Sequence, residues 1–236
     1  MSAIDTLMRV GAPTSAEHST PTSTEGLPLG ERGLRTRQRI LEAIGHAIQQ
    51  HGLRGIRLAD IAQEVGVKPP AFYQYFTDLD EAILALCTEA GDLVPRFQVE
   101  ADDWGDGHGD GTRPFVEQFF QYWEEHRPLL TARHMAIMSG DDRFQDAADE
   151  AFRPVAEALH AKIEAGQRDG KIDAAQHPVA LGAVLNLMID VAGMSAPKLA
   201  KYWDGHDQEE LVAAVSFVFD RVLGVGPALE AAAPPP

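Results

Sequence analysis

Residues 57–76 read RLADIAQEVGVKPPAFYQYF, and three of the last four side chains carry hydrogen-bonding groups. If Phe72 and Phe76, one helical turn apart, both face inward, Tyr73, Gln74 and Tyr75 cannot all be buried. Two tyrosines and a glutamine exposed together point to binding. A tyrosine hydroxyl can donate to a phosphate oxygen, and a glutamine amide can pair with a base edge. The chemistry on offer is recognition of a duplex, with no covalent bond made or broken.

Other chemistries lack their residues. Gly105, Gly107, Gly109 and Gly111 alternate without the GxGxxG spacing, and no strand precedes them, so a phosphate loop is not indicated. The acids of that stretch miss the alternate positions of a calcium loop. His126 and His134 stand eight apart and no HExxH motif occurs, which argues against zinc. Cys87 lies on an apolar helical stretch and reads as a small core residue; a lone cysteine makes no internal disulfide. No nucleophile and base stand at a working spacing. The chain reads as a non-enzyme without metal or cofactor.

The elements that must hold Gln74 are helices. Ile40, Leu41, Ile44, Ala47 and Ile48 recur at helical spacing, and Gly52 stops them. A short helix follows over about 58–65, with Leu58, Ile61, Ala62 and Val65 on one face. Gly66 supplies the positive φ of a tight turn. Pro69 and Pro70 suit the first turn of a third helix, expected to run through Phe76. Asp78 or Asp80 opens a fourth, to about residue 94. Further helices are expected over 115–126, 128–138 and 143–168, then from Pro178 with a disturbance at Pro197, and over 209–223 behind an Asp207-x-x-Glu210 capping box. Nine helices and no strand make the chain all-α: an N-terminal helix-turn-helix three-helix domain over 30–77 and a larger helical domain over 78–224. Residues 1–29 and 225–236 read as a disordered arm and tail, and 102–111 as an acidic loop.

Charge supports the division. The chain has 236 residues and a formal charge of −16, but residues 30–76 carry seven basic and four acidic side chains. A small basic block on an acidic body leaves only the block fit to dock on a polyanion. The first ten residues lack the basic start of a signal peptide. The stretch 179–196 is apolar but interrupted by Asn186 and Asp190, and reads as a packing helix rather than a membrane span. A soluble, cytoplasmic protein with no membrane partner is expected.

The stretch GIRLADIAQEVGVKPPAFYQYFTDLDEAI resembles the DNA-binding domain of the TetR family of bacterial regulators, with an IA pair, a Gly-Val turn and a YxYF block in order. The resemblance covers about residues 35–86 and implies a DNA-binding role. Tyr73 and Tyr75 fall where that family contacts phosphates, and Pro69, Pro70, Ala71 and Gln74 where it meets bases. Arg57 and Lys68 replace capping hydroxyls by positive charge, and each is expected at the phosphates. Leu79 stands where a phosphate-binding lysine is common. Arg32, Arg35, Arg37 and Arg39 crowd the start of the first helix, where positive charge opposes the helix dipole and a neighbouring phosphate backbone would offset the cost.

For the rest, the resemblance implies a homodimer built from the last two long helices, a near-palindromic operator and an inducer pocket. Val184, Leu185, Leu187, Met188 and Val191, then Leu211, Val212, Val215, Val218, Phe219 and Val222, exceed what one packed helix face needs. Aromatic residues around Phe119 and Trp123, with Met138, offer apolar walls; His126, His134 and Asn186 offer polar contacts. These are the expected contacts of a largely hydrophobic effector. The function implied is a ligand-responsive regulator, a repressor released by its effector. The alternative is a TetR-like interaction protein that has lost DNA binding, for which Leu79 and the missing caps speak.

Overall fold

A computed structural model describes residues 21–52, 55–95, 111–202 and 208–225. Among them are eight helices and no strand: α1 (Glu31–His51), α2 (Leu58–Val65), α3 (Pro69–Phe72), α4 (Leu79–Gly91), α5 (Arg113–Met138), α6 (Asp142–Arg168), α7 (Pro178–Tyr202) and α8 (Gln208–Val222). The fold is all-α. Residues 1–20, most of the acidic loop, the Asp207 end of the expected capping box and the tail from 226 lie outside the described residues.

The chain packs as two units. The first gathers the described residues up to Leu93 together with 126–151. Its core joins Ile40, Leu41, Ile44 and Ile48 of α1 to Ile61 and Val65 of α2, to Phe72 and Phe76, to Ile83 and Cys87 of α4, and to Phe144. The helix-turn-helix is therefore packed together with residues beyond 77. Helix α4 starts on a firm cap. Asp78 accepts the Glu81 N–H at 2.7 Å, and the Glu81 carboxylate reaches back to the N–H and hydroxyl of Thr77 at 2.5 and 2.7 Å.

Cys87 is buried in this core, and burial pushes its thiol up to about 12, the nearby Arg133 charge opposing only in part. The thiolate is the reactive form, so the native protein should resist thiol reagents. At pH 8 a chromogenic disulfide should label Cys87 at least tenfold more slowly in buffer than in guanidinium. Equal rates would show the core to be open.

The second unit holds the described residues of 94–125 and those from 152 onward. Phe119, Trp123, Leu159, Ile163, Leu185, Ile189 and Phe219 are sealed inside. Asp220 of α8 accepts both the N–H and the hydroxyl of Thr112 at 2.8 Å, tying the start of α5 to α8. Trp123 donates its Nε1–H to Asp190 at 2.9 Å. A Cβ on Gly193 would lie 2.4 Å from the Trp123 ring, so only glycine lets α7 approach α5 that closely. Helix α7 is long and apolar enough to cross a membrane over Pro178–Leu199. One face buries Gly182, Leu185, Ile189, Gly193 and Ala196, while Val184, Leu187 and Val191 stay exposed.

Four expectations need correction. Pro128 does not start a new helix but sits inside α5, which makes eight helices of the expected nine. An internal proline costs about 3 kcal/mol. Trp123 and Leu130, both fully buried on either side of it, each contribute about 1.5–3 kcal/mol, enough to carry the helix through. Pro197, where a disturbance is expected, also lies inside a helix, and no correction is needed there: α7 runs on to Tyr202. Helix α3 stops at Phe72 rather than Phe76, and α4 at Gly91 rather than near 94. Finally, residues 21–29 of the expected disordered arm form a closed turn, in which Thr22 and Pro28 pair in antiparallel fashion.

Candidate nucleic-acid interface

The turn between α2 and α3 follows from one glycine. Gly66 adopts φ 73° and ψ 31°, which places it in the left-handed region. Its N–H donates to Gln63 at 3.1 Å and the Val67 N–H to Ala62 at 2.9 Å, the paired bonds that close a helix C-terminus. Lys68 then enters with extended backbone, and Pro69 and Pro70 begin α3. Neither Arg57 nor Lys68 makes a side-chain cap, as their residue types require. Past Phe72 the chain tightens. Gln74 N–H donates to Ala71 at 3.3 Å and Tyr75 N–H to Phe72 at 2.9 Å, bonds three residues long rather than four.

Two phenylalanines hold this element down. The Phe72 and Phe76 rings are both buried, with centroids 5.7 Å apart. Tyr73 meets the edge of Phe72 at 5.8 Å yet remains 51% exposed. Lys68, Pro69, Pro70 and Gln74 are exposed, and Ala71 is half-buried. Tyr75 is also half-buried and packs against the core, so less of it faces outward than its expected phosphate role would use. Arg57 is exposed one helix earlier in the sequence, at the start of α2.

The arginines of α1 divide by role. Arg35 is exposed, 3.6 Å from Glu31 in an open pair that contributes well under 1 kcal/mol and can be exchanged for a phosphate. Arg32 is exposed as well. Arg37 instead lies over the Phe76 ring at 5.1 Å and pairs with Glu89 at 3.5 Å. Arg39 donates to the Val65 carbonyl at 2.5 Å, closing the end of α2. Those two support the motif from behind. Leu79 packs against the same core, which explains an apolar residue there.

The expected effector contacts are divided between the two units. Phe119, Trp123 and Asn186 belong to the second unit, whereas His126, His134 and Met138 belong to the first. Met138 ends α5 with 87% of its surface exposed, so it lines no enclosed wall. His134 engages the Leu130 carbonyl through Nδ1 at 3.0 Å. Phe119 is packed by Phe115, Tyr122 and Phe152, at 5.7–5.9 Å between centroids. The Oδ1 of Asn186 is buried with no hydrogen-bond partner among the described residues. Among the described residues, no three His, Cys, Asp or Glu side chains gather as a metal site requires.

A short exposed reading element on a Gly-turned helix pair, attached to a separately packed helical body, defines a helix-turn-helix regulator. Known proteins agree. A family model described as bacterial regulatory proteins, tetR family, matches residues 40–86, and one described as tetracyclin repressor-like, C-terminal domain, matches 98–228. The second match alone spans more than half of the chain. The protein belongs to the TetR family: it is a transcriptional regulator and not an enzyme. An uncharacterized HTH-type transcriptional regulator of Haemophilus influenzae is 27% identical over 89 residues, which span 37% of this chain and 43% of that relative. The match thus takes in less than half of the relative's length.

Solved structures share the fold. The fatty acid degradation regulator FadR of Bacillus halodurans superposes with a TM-score of 0.57 at 17% identity, covering 80% of this chain and 95% of its own. GusR of Salmonella enterica gives 0.58 at 18%, covering 83% and 98%. MbdR of Azoarcus sp. CIB gives 0.55 at 18%, covering 82% and 100%.

Proposed function

We propose that this regulator is a repressor, binding a near-palindromic operator as a homodimer in the cytoplasm and released by a small, largely hydrophobic effector. The observation that carries the DNA-reading part is the exposure of Tyr73 and Gln74 beside two buried phenylalanines. In this reading residues 30–77 meet DNA and 78–224 hold the effector and the dimer contacts. Tyr73, Tyr75, Arg35, Arg57 and Lys68 serve phosphates. Pro69, Pro70, Ala71 and Gln74 face the bases. Within the second unit Phe119 and Trp123 supply apolar surface, and the unpartnered Oδ1 of Asn186 favours an effector with a hydrogen-bond donor. Effector binding would favour a dimer state that no longer matches the groove spacing.

Selection from random duplexes, followed by titration of salt, tests this. Binding to the selected operator should fall steeply as salt rises. Tyr73→Phe should then weaken binding evenly across sequences. Gln74→Ala should relax preference at one base pair, costing about 1–3 kcal/mol there. Absence of duplex binding at every salt concentration would establish the interaction-protein alternative instead.

A further inference from the structure

The turn of residues 21–29 reaches the reading element. The Thr24 hydroxyl donates to the Tyr73 carbonyl at 2.8 Å, and the Thr24 N–H donates to the Gln74 carbonyl at 3.1 Å. The turn is closed by its own bonds. Ser23 N–H donates to Leu27 at 2.8 Å, Gly26 N–H to Ser23 at 2.8 Å, and the Ser23 Oγ accepts from Leu27 N–H at 3.2 Å. Gly26 takes φ 78°, a conformation costly for any residue with a Cβ. Leu29 N–H donates to Pro21 at 3.1 Å, and the Leu29 side chain packs where a Cβ on Gly33 would come within 3.3 Å. The turn is thereby anchored on α1 at one end and on the reading element at the other.

The placement matters because of which carbonyls are held. The Tyr73 carbonyl belongs to the peptide plane before the Gln74 Cα, and the Gln74 carbonyl to the plane after it. Together those planes set the direction of the Gln74 Cα–Cβ bond. The N–H side of each plane is bonded within the element, Gln74 to Ala71 and Tyr75 to Phe72, but the four-residue α3 ends at Phe72 and holds the carbonyl side of neither. One residue, 49 positions earlier in the chain, holds both.

We propose that residues 21–29 are a strap and that Thr24 is a positioning residue for operator recognition, acting through the backbone of Tyr73 and Gln74. This rests on the reading of Gln74 as a base contact. Fluorescence anisotropy on the full chain, with the selected operator and a scrambled duplex, tests both. Thr24→Val keeps the shape and removes the hydroxyl donor. It should lower operator affinity about threefold to tenfold, the worth of one modest hydrogen bond. It should also flatten the preference at the base pair read by Gln74, while leaving scrambled-duplex affinity and the thermal melt unchanged. Thr24→Ser should behave as wild type. If Thr24→Val lowers operator and scrambled affinity equally, Thr24 meets the phosphates itself and the positioning role is overturned. If Thr24→Val has no effect where Gln74→Ala has one, the strap is overturned alone. If Gln74→Ala is also without effect, the base-contact reading and the strap fall together.

Discussion

Leu187→Arg combined with Phe217→Arg should turn the protein into a monomer and lower its affinity for a palindromic operator by at least 100-fold. Val184, Leu187 and Phe217 expose 60%, 55% and 55% of their surface, with Val191 and Val218 beside them in sequence on α7 and α8. Burying a side chain of this kind contributes about 1.5–3 kcal/mol. Five on each protomer can outweigh the roughly 4–15 kcal/mol lost on association. In a two-fold interface every substitution occurs twice, so the double variant brings four cations into one apolar contact. A monomer holds one half-site at a time and loses the high local concentration of the second reading element, which is typically worth 10²–10⁴. Sedimentation should place the variant at the 25.6 kDa of one chain. A variant that remains dimeric, or a wild type that sediments as a monomer, would overturn the dimer assignment.

The second large effect concerns Phe72. It is fully buried, 5.7 Å from Phe76 and 5.8 Å from Tyr73 between ring centroids. Phe72→Ala removes the side chain that fastens a four-residue helix to α1 and α2. Truncations of this kind cost about 3–5 kcal/mol, a large share of the 5–15 kcal/mol that a domain has. Denaturation followed by circular dichroism should show an early transition at lower guanidinium, and operator binding should be lost with it. Tyr73→Phe is the control, since it removes a hydroxyl and leaves the packing intact. An unchanged melt for Phe72→Ala would mean that the short helix is held by something other than its aromatic pair.

These effects differ in how far they could be read from the sequence. The helix-turn-helix core was legible because its signals are local: Gly66 permits one backbone conformation, and Ile61, Ala62 and Val65 recur at helical spacing. The end of α3 was not, since the period of Phe72 and Phe76 is met equally by a helix and by a tightened turn. Pro128 misled because the local penalty of a proline is visible in sequence, whereas the burial of Trp123 and Leu130 that outweighs it is not. The turn at 21–29 has the Ser, Thr and Pro content of a disordered arm, and its partners lie far along the chain at Tyr73 and Gln74. Arginine counts on α1 could not separate Arg35, whose partner is the open carboxylate of Glu31, from Arg37 and Arg39, which engage the Phe76 ring and the Val65 carbonyl. Met138 was named for its side-chain type, and type does not tell which way a helix end points.

The proline pair that opens α3 has a consequence for how specificity could evolve. A helix tip ordinarily offers several amide hydrogens to an anion whatever side chains surround it. Pro69 and Pro70 have no such hydrogens, and the one on Ala71 is already given to Lys68 at 2.8 Å. Among the first three residues of α3 the main chain therefore leaves no amide hydrogen free for a sequence-blind grip. Most of the hold on a duplex there is left to replaceable side chains, so point substitutions can retune the preferred operator without first dismantling a multi-amide backbone clamp.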